Sequence, residues 1–294
     1  MNIKKKIFCA LILLVLAAVS VNAFEIKLIK LGLLAKMNST ESEYTNTWKK
    51  TFAPHNEILK LNVKFYDSLS AMQLALTKGE IDQMVLPESV ANYFLNSTHK
   101  DFEAVLALPS PGRGLAFGFL ESNKKLRDEF NQALQILRDD WTLSSLEGLY
   151  ISSITNEDNL EPIEFPKFEN AETIKVAVTG DLPPIDFITP TGAPAGFNTA
   201  VLAEIGRLLK KNIECVNIEA GGRSAALSSG RVDVVFWYEI DTAGRDKADI
   251  PDGVILSSPY FTWNKFIHIK KMPEKVKGGA SWHYKRDFLN IYRR

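Results

Sequence analysis

Leu76-Thr77-Lys78-Gly79-Glu80-Ile81-Asp82 is echoed by Leu227-Ser228-Ser229-Gly230-Arg231-Val232-Asp233, so each half of the chain carries a helix end, a glycine and a strand-opening aspartate in the same order. In each copy the glycine suits the left-handed position that closes an amphipathic helix, because a residue without a Cβ enters positive φ without steric cost. An apolar run follows each aspartate, Gln83 to Leu86 and Val234 to Trp237, and reads as a buried strand. The repeat predicts two related α/β lobes, and two such lobes facing one another enclose a cleft.

Upstream of the first copy, Ile26 to Leu34 reads as a strand, and Thr40 with Glu43 has capping-box spacing for a helix running through Trp48 and Phe52. Leu61 to Tyr66 alternates as a strand, Ser68 caps a helix whose apolar face is Leu69, Met72 and Leu76, and Ser89 to Leu95 forms another. Phe102 to Leu108 and Leu115 to Leu120 are extended, with Pro109-Ser110-Pro111-Gly112 as a break, which suits a strand passing between lobes. Ser122 caps a helix with the stripe Leu126, Phe130, Leu134 and Leu137, and Trp141 and Leu146 continue its apolar contact to Tyr150. Ser152 to Asn170 lacks periodicity and reads as a linker. The pattern then restarts: strand Thr173 to Val178, turn Leu182-Pro183-Pro184, helix Phe197 to Leu209, strand Ile213 to Ile218, and Tyr260 to Ile269 as a second inter-lobe strand. Helices alternating with strands predict parallel sheets.

The first residues have the three zones of a secretory signal: Lys4-Lys5-Lys6, the apolar run Ile7 to Val19, and the small-residue site Val21-Asn22-Ala23. Cleavage is expected after Ala23, because Ile7 to Ala18 falls short of the roughly 20 residues that span a bilayer. Its removal takes away three lysines and no acids, leaving 32 basic against 35 acidic residues, a net charge of −3. That balance excludes an electrostatic claim on nucleic acid. Cys215 alone remains, so no internal disulfide forms, and its apolar surroundings fit a buried inert thiol. His55, His99, His268 and His283 are isolated, phosphate loops and nucleophile elbows are absent, and no metal or cofactor is expected.

Ile174 to Ile269 resembles the amino-terminal lobe of the family 3 bacterial solute-binding proteins, periplasmic receptors for polar amino acids and similar solutes. The likeness is carried in order by Lys175-Val176-Ala177-Val178, Pro184-Ile185-Asp186-Phe187, Gly196-Phe197-Asn198, Ala226 to Asp233, Arg245 and Ser257-Ser258-Pro259-Tyr260-Phe261. Lys27 to Ile151 is similar to the second lobe and closing helices, through Tyr66-Asp67-Ser68, Gly79 to Asp82, Val90-Ala91-Asn92-Tyr93 and Leu126 to Thr142. The resemblance implies a two-lobed type II periplasmic binding-protein fold, α/β, with lobes joined by inter-lobe strands. In the family, however, the second lobe follows the first, whereas here it precedes it, which implies a circular permutation. The alternative is one short binding domain followed by a truncated second copy. The expected division is a signal peptide at 1–23, the second-lobe-like region with its helices at 24–151, a linker at 152–170, the first-lobe-like region at 171–270, and an extension at 271–294.

A free amino acid presents a carboxylate and an ammonium, so its receptor needs a guanidinium with backbone N–H donors at one end and a carboxylate at the other. By resemblance, Arg245 grips the ligand carboxylate, and Ser39 and Thr40 supply helix N-terminal amides. Glu88 and Asp181 are acidic candidates, and Trp237 and Tyr238 offer a stacking surface or belong to the core. Asp82 and Asp233 are structural in the family. Three departures count against an intact amino-acid site: Trp237-Tyr238-Glu239-Ile240 replaces small residues and a threonine, Ala220-Gly221-Gly222 replaces an aromatic, and the second-lobe acid falls on Pro87.

The function these features imply is capture of a small polar solute, an amino acid or related carboxylate, by a monomer that presents it to an ABC-type permease after hinge closure. Two alternatives stay open: a bilobed sensor or interaction protein without a transport role, and an enzyme resembling cyclohexadienyl dehydratase, with Glu88 or Glu239 as the acidic group. Neither catalysis nor stable membrane insertion is the expectation.

Overall fold

The computed structural model describes residues 27–51, 59–97, 101–153, 161–241 and 249–273. Lobe A opens with β1 (Lys27–Leu34), α1 (Glu41–Thr51), β2 (Leu59–Tyr66), α2 (Leu69–Lys78), β3 (Gln83–Pro87) and α3 (Glu88–Asn96). The long β4 (Phe102–Leu120) leads to α4 (Lys124–Asp139), α5 (Thr142–Glu147) and a π turn, Gly148–Ser152. Lobe B follows with β5 (Thr173–Val178), the small strands β6 (Asp181–Leu182), β7 (Asp186–Ile188) and β8 (Pro194–Ala195), then α6 (Phe197–Leu209), β9 (Asn212–Asn217), α7 (Arg223–Ser228), β10 (Val234–Asp241), β11 (Val254–Leu256) and β12 (Phe261–Lys271).

The main sheet runs β2-β1-β3-β12-β4-β10-β5-β9, with β11 also on β4. Lobe A holds parallel β2, β1 and β3, then β12 antiparallel to β3, then the first part of β4. Lobe B repeats the plan: parallel β9, β5 and β10, then the second part of β4 antiparallel to β10, then β11 and the start of β12. Two strands therefore cross between the lobes, and each is an inner strand in one lobe and an outer strand in the other. The fold is the two-lobed α/β type expected.

The sequence repeat is a structural repeat. Gly79 and Gly230 sit at φ 75° and 69°, and each lies in the same pair of closing bonds: Gly79 N–H to Leu76 O with Glu80 N–H to Ala75 O, and Gly230 N–H to Leu227 O with Arg231 N–H to Ala226 O. Asp82 accepts from Lys30 N–H and returns its own N–H to Lys30 O; Asp233 does the same with Lys175. Both aspartates thus set the register of the third strand on the first, as Leu31↔Gln83 and Val176↔Val234 show.

Packing follows the predicted stripes, since burying apolar surface is the main favourable term in folding. Leu126, Phe130, Leu134 and Leu137 of α4 are all buried, and the Phe130 ring meets Phe117 and Phe119 edge-on at 5.3 and 5.1 Å. Tyr260 stacks on Phe117 at 4.5 Å and donates its hydroxyl hydrogen to Asn198. Burial pushes the Cys215 thiol up to about 12, in keeping with an inert thiol.

Three expectations are corrected. Pro109 to Gly112 does not break the chain: β4 continues through it, and the extra residues form a bulge where the β12 register slips between Trp263↔Arg113 and Lys265↔Pro109. Ser122 lies inside a 3-10 turn, Glu121–Asn123, and Asn123 holds the N-cap position of α4. Trp141 is not packed: it takes the left-handed turn between α4 and α5 and is 73% exposed. Leu146 and Tyr150 do pack against the core. The segment expected to be a secretory signal lies outside the described residues, as does part of the expected linker; among the described residues no helix is long and apolar enough to cross a membrane.

Candidate functional site

In each lobe the loops at the carboxyl ends of the parallel strands meet those of the other lobe, the location at which open α/β sheets present their binding groups. The contacts come in matched pairs. Asp181, just past β5, accepts from Leu69 N–H at 2.6 Å and more loosely from Ser70 N–H at 3.4 Å, at the start of α2. In the reverse sense, Ala35 and Met37, just past β1, accept from Arg223 Nη2 and Ser224 Oγ at the start of α7. Between these, the two loops preceding α2 and α7 touch directly: Asp67 accepts from Gly221 N–H, and Ala220 N–H donates to Asp67 O. A Cβ on Gly221 would run into the Asp67 carboxylate, so the glycine permits this approach.

The densest contact joins the start of lobe A to a lobe B residue that sequence reasoning did not select. Asp249 accepts from Met37 N–H at 3.3 Å, Asn38 N–H at 3.0 Å and Ser39 N–H at 2.9 Å. Successive N–H groups before a helix form a concave anion site, strengthened by the helix dipole. Of the two residues predicted there, Ser39 contributes its amide to this pocket. Thr40 instead forms the capping box, donating its N–H and its hydroxyl hydrogen to Glu43 Oε2 while Glu43 N–H donates to Thr40 Oγ1.

Two acids with raised pKa values, half-buried Asp181 and fully buried Asp186, set the electrostatics on the lobe B side of the seam. Asp181 is pushed up to about 6, first by desolvation and further by the neighbouring Asp186 charge, against the pull of the Leu69 and Ser70 amides. Asp186 is also raised by burial, although Thr179 and Gly180 donate to it. Arg223, only 3% exposed, supplies the nearby positive charge and spreads its donors over Ala220 O, Phe236 O and Ala35 O. An open groove of about 820 Å³ borders the seam, lined by Asp67, Asn217, Glu219, Gly222, Ser229 and Arg231 among others.

The remaining candidates are dispersed. Glu88 opens α3 and accepts from Lys265 of β12, so its charge is already matched within the chain. Pro87 is the last residue of β3. Trp237 and Tyr238 lie on β10, Trp237 in register with Ala116, while their side chains and the whole of Arg245 lie outside the described residues. His268 is packed: its Nδ1 meets Gln83 Oε1 at 2.8 Å, and burial lowers its pKa to about 4. Among the described residues no group of His, Cys, Asp and Glu could hold a metal ion. Sequence reasoning missed Met37, Asp249, Arg223 and Ser224; the two partners in each contact are separated by roughly 190 to 210 residues, and only Gly221-Gly222 beside Arg223 hinted at a close approach.

Residues 174–277 match the model of the bacterial extracellular solute-binding proteins, family 3, which bears out the resemblance seen in Ile174 to Ile269. No curated protein matches the sequence. Among solved structures, the chain is similar to the methionine-binding protein MetQ (13% identity, 83% of each chain, TM-score 0.40). It is also similar to an ancestral arginine-binding protein bound to arginine (14% identity, 85% of this chain and 88% of that one, TM-score 0.41). A third is the reduced OxyR regulatory domain from Pseudomonas aeruginosa (11% identity, 91% of this chain and 94% of that one, TM-score 0.40).

Proposed function

We propose that this chain is an exported solute-binding protein that takes a small polar solute, an amino acid or related carboxylate, at the seam between its lobes and presents it to an ABC-type permease in the periplasm. One observation carries the reading: the amides of Met37, Asn38 and Ser39 converge on a single carboxylate, here that of Asp249, at the helix start where the family resemblance calls for the carboxylate of a solute. In this reading Arg245 supplies the guanidinium, Ser39 the amide at the start of the helix with Thr40 capping it, Asp181 the acidic end, and Trp237 and Tyr238 the apolar wall; Glu88 joins the site only where a solute ammonium replaces Lys265 as its partner. Support also comes from the family match over 174–277. Calorimetry against a panel of amino acids and organic acids tests it. Saturable binding is expected, and Arg245→Ala weakens it by about 2–5 kcal/mol, roughly thirtyfold to a few thousandfold. A folded protein that gives no heat with any member of the panel loses the transport reading.

The chain order is read as a circular permutation of that family. Supporting it, β12 ends and β1 begins at the same end of the lobe A sheet, so one short connection would join them, while 152–172 links the closing helices to β5. A bilobed sensor without transport is the second reading, favoured by Asp249 already filling the amide pocket. A stable protein partner in pull-downs, with no solute bound, distinguishes it.

A further inference from the structure

We propose that Asp249 is a built-in occupant of the amide pocket at the start of α1, and that with Asp67 and Asp181 it latches the lobes together in the absence of solute. Three backbone donors of lobe A meet one carboxylate in that pocket, and the carboxylate comes from the opposite lobe. Every part of Met37 is committed across the seam. Its N–H donates to Asp249, its carbonyl accepts from Ser224, and its side chain, 8% exposed, packs with Ala116, Ile218, Ala226 and Val235 of lobe B. The latch residue is itself held in place, because Ile250 packs against the same cluster and Val254 N–H closes a turn onto Pro251 O.

Asp67 and Asp181 repeat the chemistry, each a carboxylate of one lobe on backbone N–H groups of the other. Backbone donors do not titrate and have fixed directions, so these contacts persist without any ligand to complete them. The latch rests on the solute-binding reading in one respect: if the pocket is the carboxylate end of the solute site, a solute enters only as Asp249 leaves.

The test uses full-length secreted protein, unfolded in urea and refolded after dialysis to strip bound molecules. Sodium acetate is titrated against the amide resonances of Met37, Asn38 and Ser39. The parent is expected to be unresponsive, Asp249→Ala to shift saturably, and Asp249→Asn, which keeps an acceptor, to fall between. Small-angle scattering of the parent is expected to fit the arrangement in which these contacts join the lobes, and D67A/D181A/D249A to give a larger radius of gyration; if that variant fails to fold by circular dichroism, D67A/D249A replaces it. A parent whose three amides respond to acetate as readily as Asp249→Ala, or a folded multiple variant with parental scattering, overturns the proposal. An acetate response in Asp249→Ala with no solute bound by the parent retains the latch and removes the receptor reading. Solute binding by the parent with no acetate response in Asp249→Ala does the reverse.

Discussion

Trp141 is held at φ 66° with 73% of its surface exposed, a turn position that a glycine occupies without strain. Trp141→Gly is expected to raise stability by roughly 1 kcal/mol, read as a higher urea midpoint. Asp181 makes the opposite kind of contribution. Its carboxyl is raised from 3.8 to about 6 in the fold, so between those values the folded chain holds more protons than the unfolded one. Stability from this group is therefore greatest below pH 4 and is lost as pH rises to 6, by about 3 kcal/mol at most given its partly exposed edge. Asp181→Asn keeps an acceptor for the Leu69 amide and removes its part of the fall; buried Asp186 adds to that fall, while His268, lowered to about 4 by burial, opposes it over the same range in parent and variant alike. Urea midpoints from pH 4 to 7 check this, and an unchanged slope would show that Asp181 does not titrate in the window. The Trp141 misreading has a plain cause. Its spacing continues the α4 stripe, but helical period cannot show that the helix ends two residues earlier.

At the scale of elements, the pair of strand-setting aspartates behaves as one device used twice. Asp82→Ala and Asp233→Ala each remove an acceptor from the first strand of their lobe, and each should cost about 1 kcal/mol in chemical unfolding, with similar values for the two. Phe130→Ala removes the ring on which Phe117 and Phe119 pack and is expected to cost about 3–5 kcal/mol. These elements were legible because their signals are local: glycine at a helix end, aspartate before a strand, leucines a turn apart. The Pro109–Gly112 segment misleads for the converse reason. Its turn chemistry is local, but a partner strand more than 150 residues away keeps it extended.

Across the whole molecule, lobe architecture was readable from the repeat, whereas the seam was not. Asp249 reaches the Ser39 amide across 210 residues of chain, and no spacing rule encodes that distance. The permutation reading makes a prediction at this scale. Joining Pro273 to Lys27 through a short glycine linker and reopening the chain between Ser153 and Glu161 should leave a folded protein with a melting temperature within a few degrees of the parent. An unfolded product would favour a truncated second copy.

The two exchanged strands have a further consequence for the backbone as a covalent object. The segment before Ser153 places β4 between β10 and β12 in lobe B, and the segment after Glu161 places β12 between β3 and β4 in lobe A. A protease site engineered between them would yield two fragments, each threaded through the sheet of the other. They should co-elute in native chromatography and part only in denaturant.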